Sequence, residues 1–355
     1  MRAFVYQGLP SRIVFGAGSL AKIGEELDRL GAQRALVLST PEQRADAQRV
    51  AELLGKRNAG IYSQAIMHVP IETARAAVAE AKRLGADCAV TVGGGSTTGL
   101  GKAIALESSL PILAVPTSYA GSEVTPIYGI TDAGVKKTGR DPQVLPRTVI
   151  YDPQLTVSMP TQLTITSGMN AMAHAVEGLY AADANPISSL MAEEGIRALA
   201  SGLPRVVARP DDIDARAECL YGAWLCGTVL GAVGMALHHK LCHTLGGSFN
   251  LPHAETHTVI LPHAVAYNRS AAPEAMARVR RALGTGDAAT GLYDLAAGLG
   301  APMALERIGM QACDLDRAAD LAVAAPYPNP RPVERTALRR LLDDAFYGRR
   351  PQPLS

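Results

Sequence analysis

The sequence predicts an α/β N-terminal Rossmann-like domain with a parallel sheet over residues 1–155, followed by an all-α helical domain over residues 156–355. Three observations predict it. Before residue 155, β-rich apolar runs alternate with amphipathic helical stretches, the pattern of strands joined by crossover helices. After Pro160 the strand signal stops and Ala/Leu/Met-rich helical periodicity takes over. Between a buried apolar run and a helical stretch lie three consecutive glycines, Gly93, Gly94 and Gly95.

In chain order, "RIVF" reads as a strand and Leu20 to Leu30 as a helix. "RALVLST" is the next strand, Ala45 to Leu54 the next helix and "AGIYSQA" the third strand. A helix from Ile71 to Leu84, the strand "DCAVTV", a helix from Thr98 to Leu106 and the strand "PILAVPT" complete the alternation. The uncharged run Cys219–Leu237 is about the length that spans a bilayer. It is isolated and runs directly into "HHK", so we expect a buried core helix that carries the histidines.

Composition narrows the function. The 34 Lys and Arg nearly balance the 33 Asp and Glu, with no basic run, which argues against nucleic-acid or membrane-surface partners and for a small-molecule substrate. Five scattered cysteines with no C-x-x-C spacing read as reduced thiols of a cytoplasmic protein. The N-terminus "MRAFVYQGLP" has no signal-peptide core.

Three glycine-containing stretches could hold a phosphate. Gly16-x-Gly18-x-x-Ala21 resembles a dinucleotide fingerprint, but the second strand ends in Ser39 and Thr40 where a ribose-binding acid is expected, so a structural turn is the better reading. Gly101-Lys102 is not a Walker loop, because Ser96 and Ala103 stand at positions the motif reserves for other residues. Gly93-Gly94-Gly95-Ser96 is the strongest: small residues let a pyrophosphate approach the backbone, and the Ser96 and Thr97 hydroxyls add donors. Thr117 and Ser118, after the next strand, could line the same crevice.

The helical half carries "LHHKLCHTLGG". His239 and His243 are spaced i, i+4 and share a helix face; His253 follows after a loop, and Asn170 and His174 form another i, i+4 pair upstream. Four such imidazoles converging opposite a nucleotide loop suggest a site. His257, i, i+4 from His253, is an open case. His238, His263 and His68 read as structural, Asp152 as a turn residue, and Ser122 and Glu123 as helix capping.

These motifs, "GGGS", "NAMAHAVE" and the His239/His243/His253 run, resemble the iron-containing (group III) alcohol dehydrogenase family along essentially the whole chain. The resemblance implies a dehydroquinate synthase-like architecture and a homodimer, places His174, His239 and His253 at three metal-ligand positions, and gives His243 to the substrate. The fourth family ligand is an aspartate, and here it is Asn170; Gly99 likewise stands where many relatives carry an aspartate. Losing the one anionic ligand weakens a divalent metal site, so no metal is expected. Lys136 matches by register a family lysine that contacts the cofactor, with Lys137 almost as good a match.

Both departures, with "FVYQGLPSRIVFGAGSL", "KKTGRDPQVLPRTVIYDP" and "HHKLCHTLGGSFNLPHAETHTVILPH", are similar to the branch of that family whose members reduce the enone of maleylacetate to 3-oxoadipate. Those members use NADH or NADPH and no metal. The resemblance thus implies a dicarboxylate substrate, a nicotinamide held by Gly93–Thr97, Thr117, Ser118, Ser39, Thr40 and Lys136, and catalysis by His243, His239, His253, His174 and Asn170. A metal-dependent alcohol dehydrogenase that tolerates Asn170 is the alternative. A dehydroquinate synthase-like lyase is a weaker one, because it needs an intact metal site and a basic phosphate pocket.

Overall fold

The computed structural model describes residues 4–9, 11–132 and 135–352, with the side chains of residues 135 and 136 left undescribed. The chain divides into two compact units, Gly8–Met159 and Pro160–Ser355, the latter including the residues up to Gln7. The division falls at Met159 rather than at 155, because Leu155 belongs to the apolar core beneath the sheet.

In the first unit, strands β1 (Arg12–Phe15), β2 (Ala35–Leu38), β3 (Asn58–Tyr62), β4 (Cys88–Gly93), β5 (Ile112–Pro116) and β8 (Thr148–Tyr151) form one parallel sheet ordered β1-β8-β5-β4-β2-β3. Helices α1 (Ile23–Leu30), α2 (Arg44–Leu54), α3 (Ile71–Leu84) and α4 (Gly95–Ser108) make the crossovers. β2, β4, β5 and β8 are buried along their whole length, as a parallel sheet with helices on its faces requires. Their continuous apolar runs are what made them legible.

Two features depart from expectation. Strands β6 (Ile127–Asp132) and β7 (Val135–Arg140) pair as an antiparallel hairpin that the strand-and-helix alternation does not announce. Helix α4 begins at Gly95 rather than Thr98, so Ser96 and Thr97 sit in its first turn.

The second unit is helical: α5 (Thr161–Leu179), α6 (Pro186–Ala208), α7 (Ile213–Ala232), α8 (Leu237–Phe249), α9 (His253–Asn268), α10 (Pro273–Leu283), α11 (Ala288–Gly298), α12 (Leu315–Val323) and α13 (Arg335–Phe346). Helix α5 is buried from Thr164 to Leu179 and packs against α6, α7 and α9. A Cβ on Gly222 of α7 would stand 3.0 Å from the Gly195 carbonyl oxygen of α6, so the bare glycine is what permits that crossing distance.

The apolar run from Cys219 does not continue as one helix into the histidines. It breaks after Ala232, and α7 and α8 meet at 95°. Asp183 accepts the Gly234 backbone N–H at 2.9 Å within the break. The reason is tertiary: the chain turns so that the first turn of α8 meets a side chain of α5. Among the described residues, no single helix is long and apolar enough to cross a membrane.

Candidate functional site

The candidate cofactor residues other than Lys136 lie at the carboxyl ends of three adjacent parallel strands, β2, β4 and β5, where α/β sheets bind ligands. β4 ends at Gly93, whose φ of 151° is open to glycine and strained for other residues. A Cβ there would stand 2.5 Å from both Gln43 Oε1 and Thr97 Oγ1, so the space over Gly93 is a cradle closed by two polar side chains. Thr97 Oγ1 is buried and has no hydrogen-bond partner. The first backbone N–H groups of α4, beginning at Gly95, have no intrahelical acceptor, the arrangement that receives a phosphate.

Thr117 joins this loop through its backbone N–H, which donates to the Gly93 carbonyl at 3.1 Å. Ser118 Oγ lies 2.8 Å from where a Gly94 Cβ would stand. Thr40 is half-buried after the end of β2, and Ser39 is fully buried; its hydroxyl lies 2.9 Å from both the Thr40 carbonyl and Ser63 Oγ. Lys136 lies on β7, and its side chain is outside the described residues. Sequence reasoning missed Gln43, whose amide donates to Thr117 Oγ1 at 2.5 Å across the mouth of the loop. A bare glutamine after a proline turn carries no local signal.

The other glycine stretches are structural. Asp152 accepts the backbone N–H groups of Gly18 at 3.1 Å and Leu20 at 3.0 Å, so the turn at Gly16 has spent its donors internally. A Cβ on Gly99 would stand 2.8 Å from Val69 Cγ2, which leaves no room for the family's aspartate without local movement. His68 sits in a turn at φ 66° and its carbonyl accepts the Thr131 hydroxyl.

Lys102 and Glu123 are more than their local context suggests. Lys102 is fully buried and its ammonium donates to Thr125 O (2.9 Å), Thr125 Oγ1 (3.0 Å) and Ile127 O (2.6 Å). Burial pulls its pKa down to about 7, while Glu123 nearby opposes the shift. Glu123 caps no helix with its side chain; buried, it accepts the Tyr151 hydroxyl at 2.8 Å, and burial raises its pKa.

In the helical unit, α5, α8 and α9 bring six imidazoles together. His174 and His239 ring centroids are 5.1 Å apart, His239 and His257 5.1 Å, and His253 and His257 4.4 Å. His238 lies 4.8 Å from His257, and His243 meets His239 edge-on at 6.1 Å. His257, the open case, meets His174, His238, His239 and His253 and so lies inside the set. His238, read as structural, is buried inside the same cluster as the partner of His257, because α8 packs flat against α9 and gives its inward face two histidines.

The cluster is layered by exposure. His243 is exposed and His253 half-buried, while His174 and His239 are nearly covered and His238 and His257 completely so. Burial, followed by the neighbouring His239, holds His238 neutral; burial, followed by His253, does the same for His257. Asn170, one turn before His174, is buried, and its Oδ1 has no partner. His263 is buried, and burial lowers its pKa to about 4.

Hydrogen bonds order the inner rings. Glu177 of α5 accepts the His239 Nδ1–H at 2.5 Å, and His239 Nε2 lies 2.9 Å from His174 Nδ1. Both nitrogens of His239 are therefore engaged by neighbouring side chains, while His243 on the same helix is exposed.

The comparisons agree with this architecture. Residues 10–153 match the model of the iron-containing alcohol dehydrogenase family, and residues 164–346 match the C-terminal model of the same family. The chain is 63% identical over 351 residues to a maleylacetate reductase of Burkholderia cepacia, covering 99% of this chain and 100% of that one. A crystal structure of maleylacetate reductase from Agrobacterium tumefaciens superposes with a TM-score of 0.96 at 58% identity, covering 99% and 100%. The iron-containing alcohol dehydrogenase of Corynebacterium glutamicum superposes with a TM-score of 0.95 at 44% identity, covering 99% of each chain. With matched models along nearly its whole length and both halves of the motif set in place, the chain belongs to the iron-containing alcohol dehydrogenase family.

Proposed function

We propose that this chain reduces the conjugated carbon–carbon double bond of maleylacetate to give 3-oxoadipate, using NADH or NADPH and no metal. The observation that carries the reading is the donor set of the helical unit: imidazoles ordered by hydrogen bonds, with a neutral amide, Asn170, where the family places its anionic ligand. The names of relatives 51–63% identical over nearly the whole chain supply the substrate.

The iron that the family name implies fits these residues poorly. His174 Nδ1 and His239 Nε2 face each other at hydrogen-bond distance, so the lone pair of one is met by the proton of the other. Among the described residues, the donors that gather within 4.8 Å of one another are instead His238, Cys242 and His257. There burial keeps the Cys242 thiol protonated, and the site has no carboxylate to offset the charge of an ion.

A nicotinamide dinucleotide does fit the first unit. Gly93, Thr97, the α4 N-terminus, Thr117 and Gln43 would hold its pyrophosphate, and the bound reduced ring supplies hydride. Addition of hydride to the carbon β to a ketone leaves an enolate, whose oxygen needs hydrogen-bond donors at a fixed place. His243 supplies that donor, and the imidazole cluster returns a proton to the α-carbon. His174, His253 and Asn170 anchor a substrate carboxylate.

The test is consumption of NADH by EDTA-treated, metal-analysed protein with freshly generated maleylacetate. Rapid turnover without metal supports the reading. Activity that disappears with chelation and returns with Fe²⁺ or Zn²⁺ overturns it in favour of a metal-dependent alcohol dehydrogenase.

A further inference from the structure

Maleylacetate carries two carboxylates, and His174, His253 and Asn170 take one of them. The other, on the acetate arm, is separated from the ketone by a single methylene. Whatever meets it must therefore stand close to the donor on the ketone oxygen. A carboxylate that gives up water on binding is best received by a cationic donor.

Residues 160–355 contain one lysine, Lys240, and it lies on the histidine helix α8. At 3.6 residues per turn, His243 stands about 40° around that helix from His239 and about 60° from Lys240, so it lies between them. Residues three apart on a helix are neighbours, with roughly 5–6 Å between their Cβ atoms. Lys240 is half-buried, and among the described residues its ammonium makes no hydrogen bond and no ion pair. The arginines of the same unit are treated differently: Arg197, Arg205, Arg278, Arg281, Arg335 and Arg350 each meet a carboxylate.

The neighbour of Lys240 is a ring. Its Nζ lies 6.0 Å from the centroid of Tyr327, at the outer reach of a cation–π contact, which steadies the stem without neutralising the charge. Tyr327 is held in turn. Pro326 and Pro328 flank it, and Asn329 exchanges amide hydrogen bonds with Asn268 at 3.0 and 2.8 Å. Asn268 is the last residue of α9, the helix that begins at His253, so the ring beside Lys240 is tied to a helix that carries two of the clustered imidazoles.

We propose that Lys240 is a specificity-determining residue: its ammonium receives the acetate-arm carboxylate of maleylacetate while His243 receives the ketone oxygen. The proposal rests on the reductase reading. Two donors one helical turn apart read a ketone and a carboxylate one methylene apart, so the pair selects 3-oxo acids. An enone acid without the arm loses one of its anchors. No bond changes at Lys240, which binds and orients only.

The experiment follows NADH consumption with maleylacetate and with cis-acetylacrylate, the same enone acid with a methyl group in place of the acetate arm, in wild type, Lys240→Met and Lys240→Arg. The ratio of kcat/KM for maleylacetate to that for cis-acetylacrylate is expected to fall about 10- to 100-fold in Lys240→Met, the worth of a hydrogen bond to a charged group, with the loss in KM for maleylacetate. Lys240→Arg keeps a cation and retains part of the ratio. A merely structural lysine predicts equal losses on both substrates, and that result, or a wild-type ratio in Lys240→Met, overturns the proposal. A wild type that shows no preference for maleylacetate overturns it without any variant. If wild type reduces neither compound, the reductase reading fails, and calorimetric titration with acetonedicarboxylate, a ketone flanked by two such arms, decides the anchor. Binding that weakens about 10- to 100-fold in Lys240→Met supports it; absent or unchanged binding overturns it.

Discussion

His238 Nε2 and His257 Nδ1 lie 2.9 Å apart, joining α8 to α9 through a pair of imidazoles that have no exposed surface. His238 Nδ1 and His257 Nε2, the remaining ring nitrogens, are buried without partners. Replacing one ring strands the other, whereas replacing both removes the polar groups together. Each single variant, His238→Leu or His257→Leu, is expected to lose about 1–3 kcal/mol, and the double variant less than the sum of the two. Urea denaturation of the four proteins measures the coupling.

His263 gives a stability that depends on pH. Burial pushes its pKa from an ordinary 6.5 down to about 4, against the opposing pull of Asp344. Because the folded pKa is depressed, the unfolded chain binds the extra proton as pH falls below 6.5, and stability declines until the folded ring titrates near 4. The gap corresponds to about 3 kcal/mol. Thermal melts between those limits should show a steeper loss of Tm for wild type than for His263→Gln.

Gly93→Ala should injure the nucleotide cradle. The new methyl meets Gln43 and Thr97 at 2.5 Å and the backbone stays at φ 151°. We expect KM for NADH to rise at least about tenfold, together with a loss of about 1–3 kcal/mol in stability from backbone strain. Nicotinamide titration by fluorescence and a thermal melt separate the two effects.

Lys102→Met removes the ammonium that Thr125 and Ile127 share and leaves Glu123 without a neighbouring cation. Leaving the buried acceptors on Thr125 and Ile127 without their donor costs about 1–3 kcal/mol. Lys102→Met with Glu123→Gln should recover part of that, which chemical denaturation would reveal.

His243→Ala tests the donor assigned to the enolate. Loss of a positioned acid or hydrogen-bond donor is expected to lower kcat about 10²–10⁴-fold. Near-normal turnover of maleylacetate by the purified variant would move the role to another ring.

The sequence by itself determined the layout and marked the candidate residues. The alternation of buried strands and helices, Gly93 to Thr97 and the i, i+4 pair His239/His243 are written in local periods of two and 3.6, so they can be read one segment at a time. Tertiary structure decided the partnerships. Glu177 meets the backbone of His238 across 61 residues, and Gln43 meets Thr117 across 74, distances over which no local period speaks. The bend after Ala232 belongs here too: an uninterrupted apolar run reads as one helix, but the open N–H groups of α8 are satisfied by a carboxylate on α5, and reaching it requires the chain to turn. The same packing buried His238 and His257 behind the exposed His243: His238 and His239 both face inward on α8, and only the neighbouring helices determine what each ring finds there.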